Sequence, residues 1–240
     1  MGRKDTISRQ IQILLLFLAA LLTPMANAES PKLGSDDDLI RQMLFACQPM
    51  KDLLKQVKLE GNRGPFQRIA NASKMAEEGK KQEAVSELRG TLALPELETR
   101  VQLWVWSGLR ELGEKPSTKE GGEVLGVILE VPMEGAFDTL AAYADGTARY
   151  LNYSGAAVFW DTQDSLIKQL CQQFITSVVP TSSKAEPRSG VSLPKPPRMQ
   201  VTMLTRSGNF VIVEPPVSIV RSGAALMTEL IKRSQKKSGN

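Results

Sequence analysis

Two glycine-containing turns, Asp145-Gly146 and Ser154-Gly155, separate three short apolar runs in the second half of the chain. The tightest β-hairpin turns need positive φ at their central positions, and Asp-Gly satisfies this requirement well. The runs DTLAAYAD, TARYLNY and AAVFWD therefore predict three strands joined as a β-meander. A further apolar run, EVLGVILEV at residues 123–131, predicts a strand before them.

The first part of the chain has a helical pattern instead. Apolar residues recur at alternating spacings of three and four between residues 40 and 57, which predicts a helix that Pro49 kinks or splits. Residues 66–94 predict a helical hairpin with Gly79 at its turn.

The stretch RVQLWVWSGL lies within residues 96–112, which also predict a helix, with a short strand as the competing interpretation. Trp104 and Trp106 are two residues apart, so on a helix they point to nearly opposite sides. We therefore expect this helix to be covered on two faces and to join the helical part to the strands.

After the meander, the patterns of sheet and helix repeat. Asp161 is the expected N-cap of an amphipathic helix that ends before Pro180. Residues 181–198 are rich in Ser, Pro and Lys and predict a linker. The runs MQVTMLT and FVIVEPP then predict a β-hairpin, and AALMTELIKRS predicts a last amphipathic helix.

Together these patterns predict an α+β protein, with N-terminal helical hairpins followed by an antiparallel β-meander and helix domain. The predicted organisation is a cleaved export signal at 1–28, a helical domain at 29–115, a β-meander plus helix at 116–180, a linker at 181–198, and a β-hairpin plus C-terminal helix at 199–240.

The first residues have the features of an export signal. A basic segment precedes an apolar block at residues 11–22, and Ala26 and Ala28 are spaced for cleavage before Glu29. An uncleaved anchor is the competing interpretation, but the block is shorter than the roughly 20 apolar residues that a bilayer requires. We expect a periplasmic or extracellular protein with no membrane span after cleavage.

Charge gives little reason to expect a nucleic-acid partner. Residues 1–28 contain three basic residues and one acidic residue, so their removal lowers the formal net charge from +4 to about +2. Nucleic-acid binding depends on phosphate neutralisation by excess basic residues, which a nearly neutral chain lacks.

The two cysteines allow two interpretations. Cys47 and Cys171 are an even pair, and an oxidising compartment would let them form a disulfide. Both also occupy apolar positions of predicted helices, where a free cysteine behaves as a small core residue.

Histidine is absent from all 240 residues. This excludes Ser-His-Asp and Cys-His catalysis, as well as histidine-ligated metal sites. No phosphate-binding glycine loop is present either, and we expect no metal and no other cofactor. Carboxylate chemistry stays open, since glycoside hydrolysis needs only two acids across a cleft. The candidate acids near strand ends are Glu130, Glu134, Asp138 and Asp161.

All three tyrosines and one tryptophan lie in the meander, as Tyr143, Tyr150, Tyr153 and Trp160. These aromatic residues either form an interaction surface or pack within the chain. Neighbouring residues of a strand point to opposite faces of the sheet, so the aromatic residues are divided between the two faces. The leading hypothesis is a non-enzymatic exported protein that binds another exported protein. The alternative is a carboxylate-dependent hydrolase of an envelope polymer.

Overall fold

The computed structural model of the chain describes residues 35–52, 64–133, 136–161, 163–190, 193–195 and 197–237. Within them, N-terminal helices pack on one face of a seven-stranded antiparallel sheet, and two C-terminal helices pack on the other. The predicted α+β class, with N-terminal helices preceding strands and a further helix, is confirmed. The predicted export signal at 1–28 lies outside the described residues.

The N-terminal layer is built from helices that follow the predicted periodicity. The labelled helices are α1 (Ser35–Leu44), α2 (Gly64–Glu77), α3 (Lys81–Leu92), α4 (Thr99–Glu111) and the short α5 (Thr118–Gly121). After α1 the chain becomes helical again at residue 50, immediately beyond Pro49, as the missing proline N–H requires. Gly79 has a φ of +78° in the turn between α2 and α3.

The segment with the two tryptophans forms a helix, α4, and not a strand. This helix is buried on nearly every side. Trp104 and Trp106 are both buried, although they project in different directions. The helix contacts α2 and α3 as well as the first strand of the sheet. It therefore links the helical layer to the sheet, as its two tryptophans predict.

The strands of the sheet are β1 (Val124–Met133), β2 (Ala136–Tyr143), β3 (Ala148–Leu151), β4 (Ala157–Trp160), β5 (Glu186–Arg188), β6 (Gln200–Thr205) and β7 (Gly208–Val213). They pair in the spatial order β4-β3-β2-β1-β6-β7-β5, and every neighbouring pair is antiparallel. The predicted turns at Gly146 and Gly155 have φ of +90° and +88°.

The segment predicted as a linker contributes to the sheet. A 3₁₀-helix (Val179–Lys184) overlaps the start of this segment and leads into β5, which pairs with β7 at one edge. The three residues Glu-Pro-Arg have no strand periodicity, so this pairing could not be predicted from the local sequence. Because β6 pairs with β1, the regions predicted as 116–180 and 199–240 form one continuous sheet.

Two helices, α6 (Ser165–Val178) and α7 (Val217–Lys237), cover the other face. The N-cap of α6 is Asp164, whose carboxylate accepts hydrogen bonds from the N–H groups of Leu166 and Ile167 at 3.0 and 3.1 Å. The prediction of Asp161 as the cap was wrong by three residues. Asp161 instead forms an ion pair with Arg149.

The sheet separates two apolar cores. We call the first the helical-layer core, which includes Phe45, Leu88, Trp104, Ile128 and Tyr143. We call the second the C-terminal core, which includes Leu129, Leu140, Tyr150, Phe174 and Leu226. Alternation along β1 supplies Ile128 to one core and Leu129 to the other, so this strand is covered on both faces.

A glycine in β1 makes room for a fully buried tyrosine on the helical side. A Cβ at Gly126 would lie 3.0 Å from the Tyr143 ring and 3.2 Å from the side chain of Leu204. The Tyr143 hydroxyl donates to the Leu44 carbonyl oxygen at 2.8 Å, which ties the sheet to the end of α1.

Candidate functional site

The four aromatic residues predicted as an interaction surface do not share one face. Tyr143, Tyr150 and Trp160 are buried with at most 6% of their surface exposed, whereas Tyr153 is 49% exposed. Tyr143 lies in the helical-layer core, and Tyr150 and Trp160 lie in the C-terminal core. The predicted surface is therefore reduced to Tyr153 among these four, and packing within the chain accounts for the other three.

Phe159 is a second exposed aromatic residue of the meander, and it is not one of the four residues predicted as an interaction surface. It is 60% exposed on β4, on the opposite face from the buried Trp160. The guanidinium of Arg149 lies 5.6 Å from the centre of its ring. Alternation required Phe159 and Trp160 to point in opposite directions, but it did not show which of them points inward.

The edge of the sheet formed by β4 has an open row of backbone groups. The Asn152 N–H donates to the Ala156 carbonyl oxygen at 2.8 Å. This bond identifies which residues of the β3–β4 hairpin bond to the facing strand and which residues point outward. In an antiparallel ladder only every second residue bonds to the neighbouring strand. By this alternation the N–H and C=O groups of Ala157 and Phe159 point away from β3, toward the outside of the sheet.

The two edges of the sheet differ in chemistry. At one edge, β5 is three residues long and contains Glu186, Pro187 and Arg188, all of which hinder pairing with a further strand. At the other edge, β4 has the sequence AVFW, with neither a charge nor a proline. Natural proteins usually block an open strand edge with such residues, so the unprotected β4 edge is a candidate interaction site.

The turn that carries Tyr153 is held in place by a buried carboxylate. Asp138 accepts hydrogen bonds from the Tyr150 hydroxyl and the Tyr153 N–H, each at 2.8 Å. Asn152 donates its side-chain amide to the Tyr150 hydroxyl at 3.1 Å. These bonds fix the β3–β4 turn on β2, so the exposed aromatic side chains stand on a well-anchored hairpin.

Burial raises the pKa of Asp138 above its ordinary value of 3.8, and the bonds from Tyr153 and Tyr150 only partly oppose this. As pH rises through the interval between the unfolded and folded pKa, the unfolded chain loses this proton and the folded chain keeps it. The contribution of Asp138 to stability therefore falls with rising pH across that interval.

In the Asp138→Asn variant, the free energy of unfolding relative to wild type is expected to increase as pH rises above the ordinary aspartate pKa of 3.8, because wild type loses the contribution of Asp138 and asparagine does not titrate. The slope of this difference is limited to about 1.4 kcal/mol per pH unit, the value for one proton. Urea unfolding of both proteins across this range measures it. A difference that does not change with pH would contradict the raised pKa.

The acids considered for hydrolysis do not form a pair. In the β1–β2 register Val131 lies opposite Asp138, so Asp138 shares a face with Val131 and Glu130 points to the other face. Asp161 is exposed and paired with Arg149. Glu134 lies outside the described residues. The acids that are described thus lack the facing arrangement that glycoside hydrolysis requires.

Glu130 belongs instead to a buried ionic cluster on the helical side. Its carboxylate forms ion pairs with Arg41 of α1 and with Arg188 of β5, the latter at 3.0 Å, and all three side chains are at least 95% buried. The Gln200 amide donates to Glu130 at 2.7 Å. The sequence did not indicate that Arg41 and Arg188 meet Glu130, because the three residues lie in distant parts of the chain.

The cluster is closed by an aromatic ring. The Phe45 ring lies near both guanidinium groups, with 4.4 Å from the Arg188 carbon to the ring centre and 5.4 Å from that of Arg41. The Phe45 carbonyl oxygen accepts a hydrogen bond from Asn209 of β7 at 2.9 Å. This arrangement joins the helical layer to the edge strand β5, which gives the cluster a structural role.

Both cysteines are free. Cys47 packs against the helical-layer core, whereas Cys171 is part of the C-terminal core, so the sheet lies between them. A disulfide needs Cα atoms within about 7 Å of each other. The structure therefore supports the interpretation of both as core residues. Burial raises the pKa of Cys171 to about 12 and also raises that of Cys47, which makes both thiols weak nucleophiles.

Among the described residues, no group of three or more Cys, Asp or Glu side chains is arranged to hold a metal ion. In the same part of the chain, no helix combines the length and apolar character needed to cross a bilayer. Comparison of the chain with protein-family models, curated proteins and solved structures finds no match.

Proposed function

We propose that this chain is an exported, non-enzymatic interaction protein that binds an extended segment of another exported protein as an additional strand beside β4. The observation that carries the proposal is the open β4 edge, which lacks charge and proline and exposes Phe159. Export to the periplasm or the outside of the cell is supported by the pattern of residues 1–28.

Strand addition suits the chemistry of this edge. The outward N–H and C=O groups of Ala157 and Phe159 complement the backbone of any extended segment, so hydrogen bonds provide affinity without regard to sequence. Contacts with side chains then determine which partner segments bind best. Phe159 offers an apolar contact on one face of the added strand, and Tyr153 offers a second at the adjoining turn. We therefore expect a partner segment with an apolar residue that packs on Phe159.

The hydrogen bonds can be tested with a matched pair of substitutions at one position. In Ala157→Pro the outward N–H is lost, while the bonds of β4 to β3 stay intact because this N–H points away from β3. Ala157→Val keeps the N–H and favours the strand. We expect recovery of a stoichiometric partner from the exported fraction to fall about tenfold or more with proline and to persist with valine.

Each variant is first compared with wild type in urea unfolding, so that a loss of folding is recognised as such. The stable proline variant is then used in the pull-down with the affinity-tagged full chain. A partner recovered equally with both variants would exclude strand addition at β4. If wild type recovers no stoichiometric protein, the interaction function itself is contradicted.

A further inference from the structure

A groove of about 450 Å³ lies between the C-terminal end of α4, the loop that follows it, α5 and the β6–β7 turn. Its volume falls within the range of about 300–1,000 Å³ that is usual for small-molecule sites. Basic and hydroxyl side chains contribute much of its lining, which includes Arg110, Lys115, Pro116, Ser117, Thr118 and Ser207.

The most buried cation of the groove has no acidic partner. The Arg110 guanidinium is half-buried and donates to the Arg206 carbonyl oxygen at 2.6 Å, but it forms no ion pair with any carboxylate of the described residues. Burial lowers the pKa of Arg110, although the nearby Glu111 opposes this effect. The carboxylate of Glu111 is itself engaged by the Met50 N–H at 3.1 Å.

Two lysines add to the positive charge. Lys115 lines the groove, and the Lys81 Nζ lies 3.5 Å from the position that a Cβ on Gly113 would occupy. Within the described part of the chain, neither lysine forms an ion pair. The Arg110 guanidinium and the Lys115 ammonium group therefore line one groove, with the Lys81 ammonium group close to Gly113 of its lining, and none of the three forms an ion pair with a described carboxylate.

The acids around the groove are committed to other groups. Glu114 lines the groove but pairs with Arg89, and Glu123 pairs with Arg206. Glu120 accepts hydrogen bonds from the Ser117 hydroxyl and N–H in a capping box at the start of α5. The remaining hydroxyls of the groove, on Thr118 and Ser207, make no hydrogen bond to another described side chain.

We infer that this groove binds a small organic molecule that carries an oxyanion, either a phosphate or a carboxylate. The Arg110 guanidinium supplies paired N–H donors that match two oxygens of such a group, and Lys115 adds a point charge at the entrance. Thr118 and Ser207 offer hydroxyls for further polar atoms of the ligand. This binding activity is separate from the proposed strand addition, because the groove and β4 share no residue.

The test is calorimetric titration of the full chain with inorganic phosphate and, separately, with citrate. Lys115→Gln and Lys119→Gln are matched variants, since both remove one exposed lysine charge and only Lys115 lines the groove. We expect saturable binding of at least one probe, a loss of about fivefold with Lys115→Gln and of less than about twofold with Lys119→Gln. A larger loss, more than about tenfold, is expected for Arg110→Gln.

The two probes distinguish a phosphate site from a carboxylate site. Equal losses for the two lysine variants would indicate attraction to overall charge and would overturn the inference. The absence of saturable binding of both probes below about 10 mM would overturn it as well. Ala157→Pro is expected to leave anion binding unchanged, so failure of the strand-addition proposal and failure of this inference give different results.

Discussion

Replacement of Glu130 by glutamine is expected to lower the free energy of unfolding by about 3–5 kcal/mol. The carboxylate is fully buried between the guanidinium groups of Arg41 and Arg188. An amide of the same shape keeps the packing but removes the negative charge. The two arginines are then left in the interior without the carboxylate that neutralises them, which is the costly way to change a buried ion pair.

Glu123→Gln is the matched control, because Glu123 is also paired with an arginine but its side chain is 58% exposed. Water screens such a pair, so we expect a change below about 1 kcal/mol. Urea unfolding monitored by circular dichroism measures both variants. Similar losses for Glu123→Gln and Glu130→Gln would show that burial of the cluster does not determine its energetic importance.

Replacement of Phe174 by alanine is expected to cost about 3–5 kcal/mol, the range for removal of a fully buried aromatic ring. Phe174 projects from α6 into the C-terminal core and has no exposed surface. Packing around it is tight, since a Cβ on Gly223 of α7 would lie 3.3 Å from two atoms of its ring. The cavity left by alanine is therefore lined by well-packed neighbours that have little freedom to collapse into it.

Phe159→Ala provides the comparison for this substitution, with the same chemical change on the exposed β4 strand. We expect a loss of less than about 1 kcal/mol, because water already reaches most of the Phe159 ring. Denaturant unfolding midpoints of the two variants report the difference. A cost for Phe159→Ala as large as that for Phe174→Ala would mean that the ring is packed within the protein and would remove it from the proposed interaction site.

Most of the local structure could be predicted from the sequence. The glycine turns at Gly146 and Gly155 were predictable because their backbone conformation is one that few other residues adopt. The helices of the N-terminal layer were predictable from the spacing of apolar residues. The N-cap of α6 was not, since Asp161 and Asp164 have the same chemistry and only packing of the helix decides where it begins.

The candidate interaction site was less predictable, because it depends on the order of the strands. Periodicity shows that Phe159 and Trp160 face opposite ways, but burial of Trp160 requires the covering helices α6 and α7 to be in place. The open edge at β4 also arises only because β6 pairs with β1 and β5 ends the sheet on the other side. These are long-range contacts, and no local pattern in the meander specifies them.

The central position of β1 affects the order in which the chain can fold. Its pairing with β2 joins neighbouring segments, whereas its pairing with β6 joins segments far apart in the sequence and requires closure of a long loop. Local pairs form faster than distant ones, so the meander assembles while the other side of β1 is still unpaired. Before β6 is synthesised and paired, the nascent sheet therefore has two open edges, at β1 and at β4. The chain is prone to aggregation during this interval.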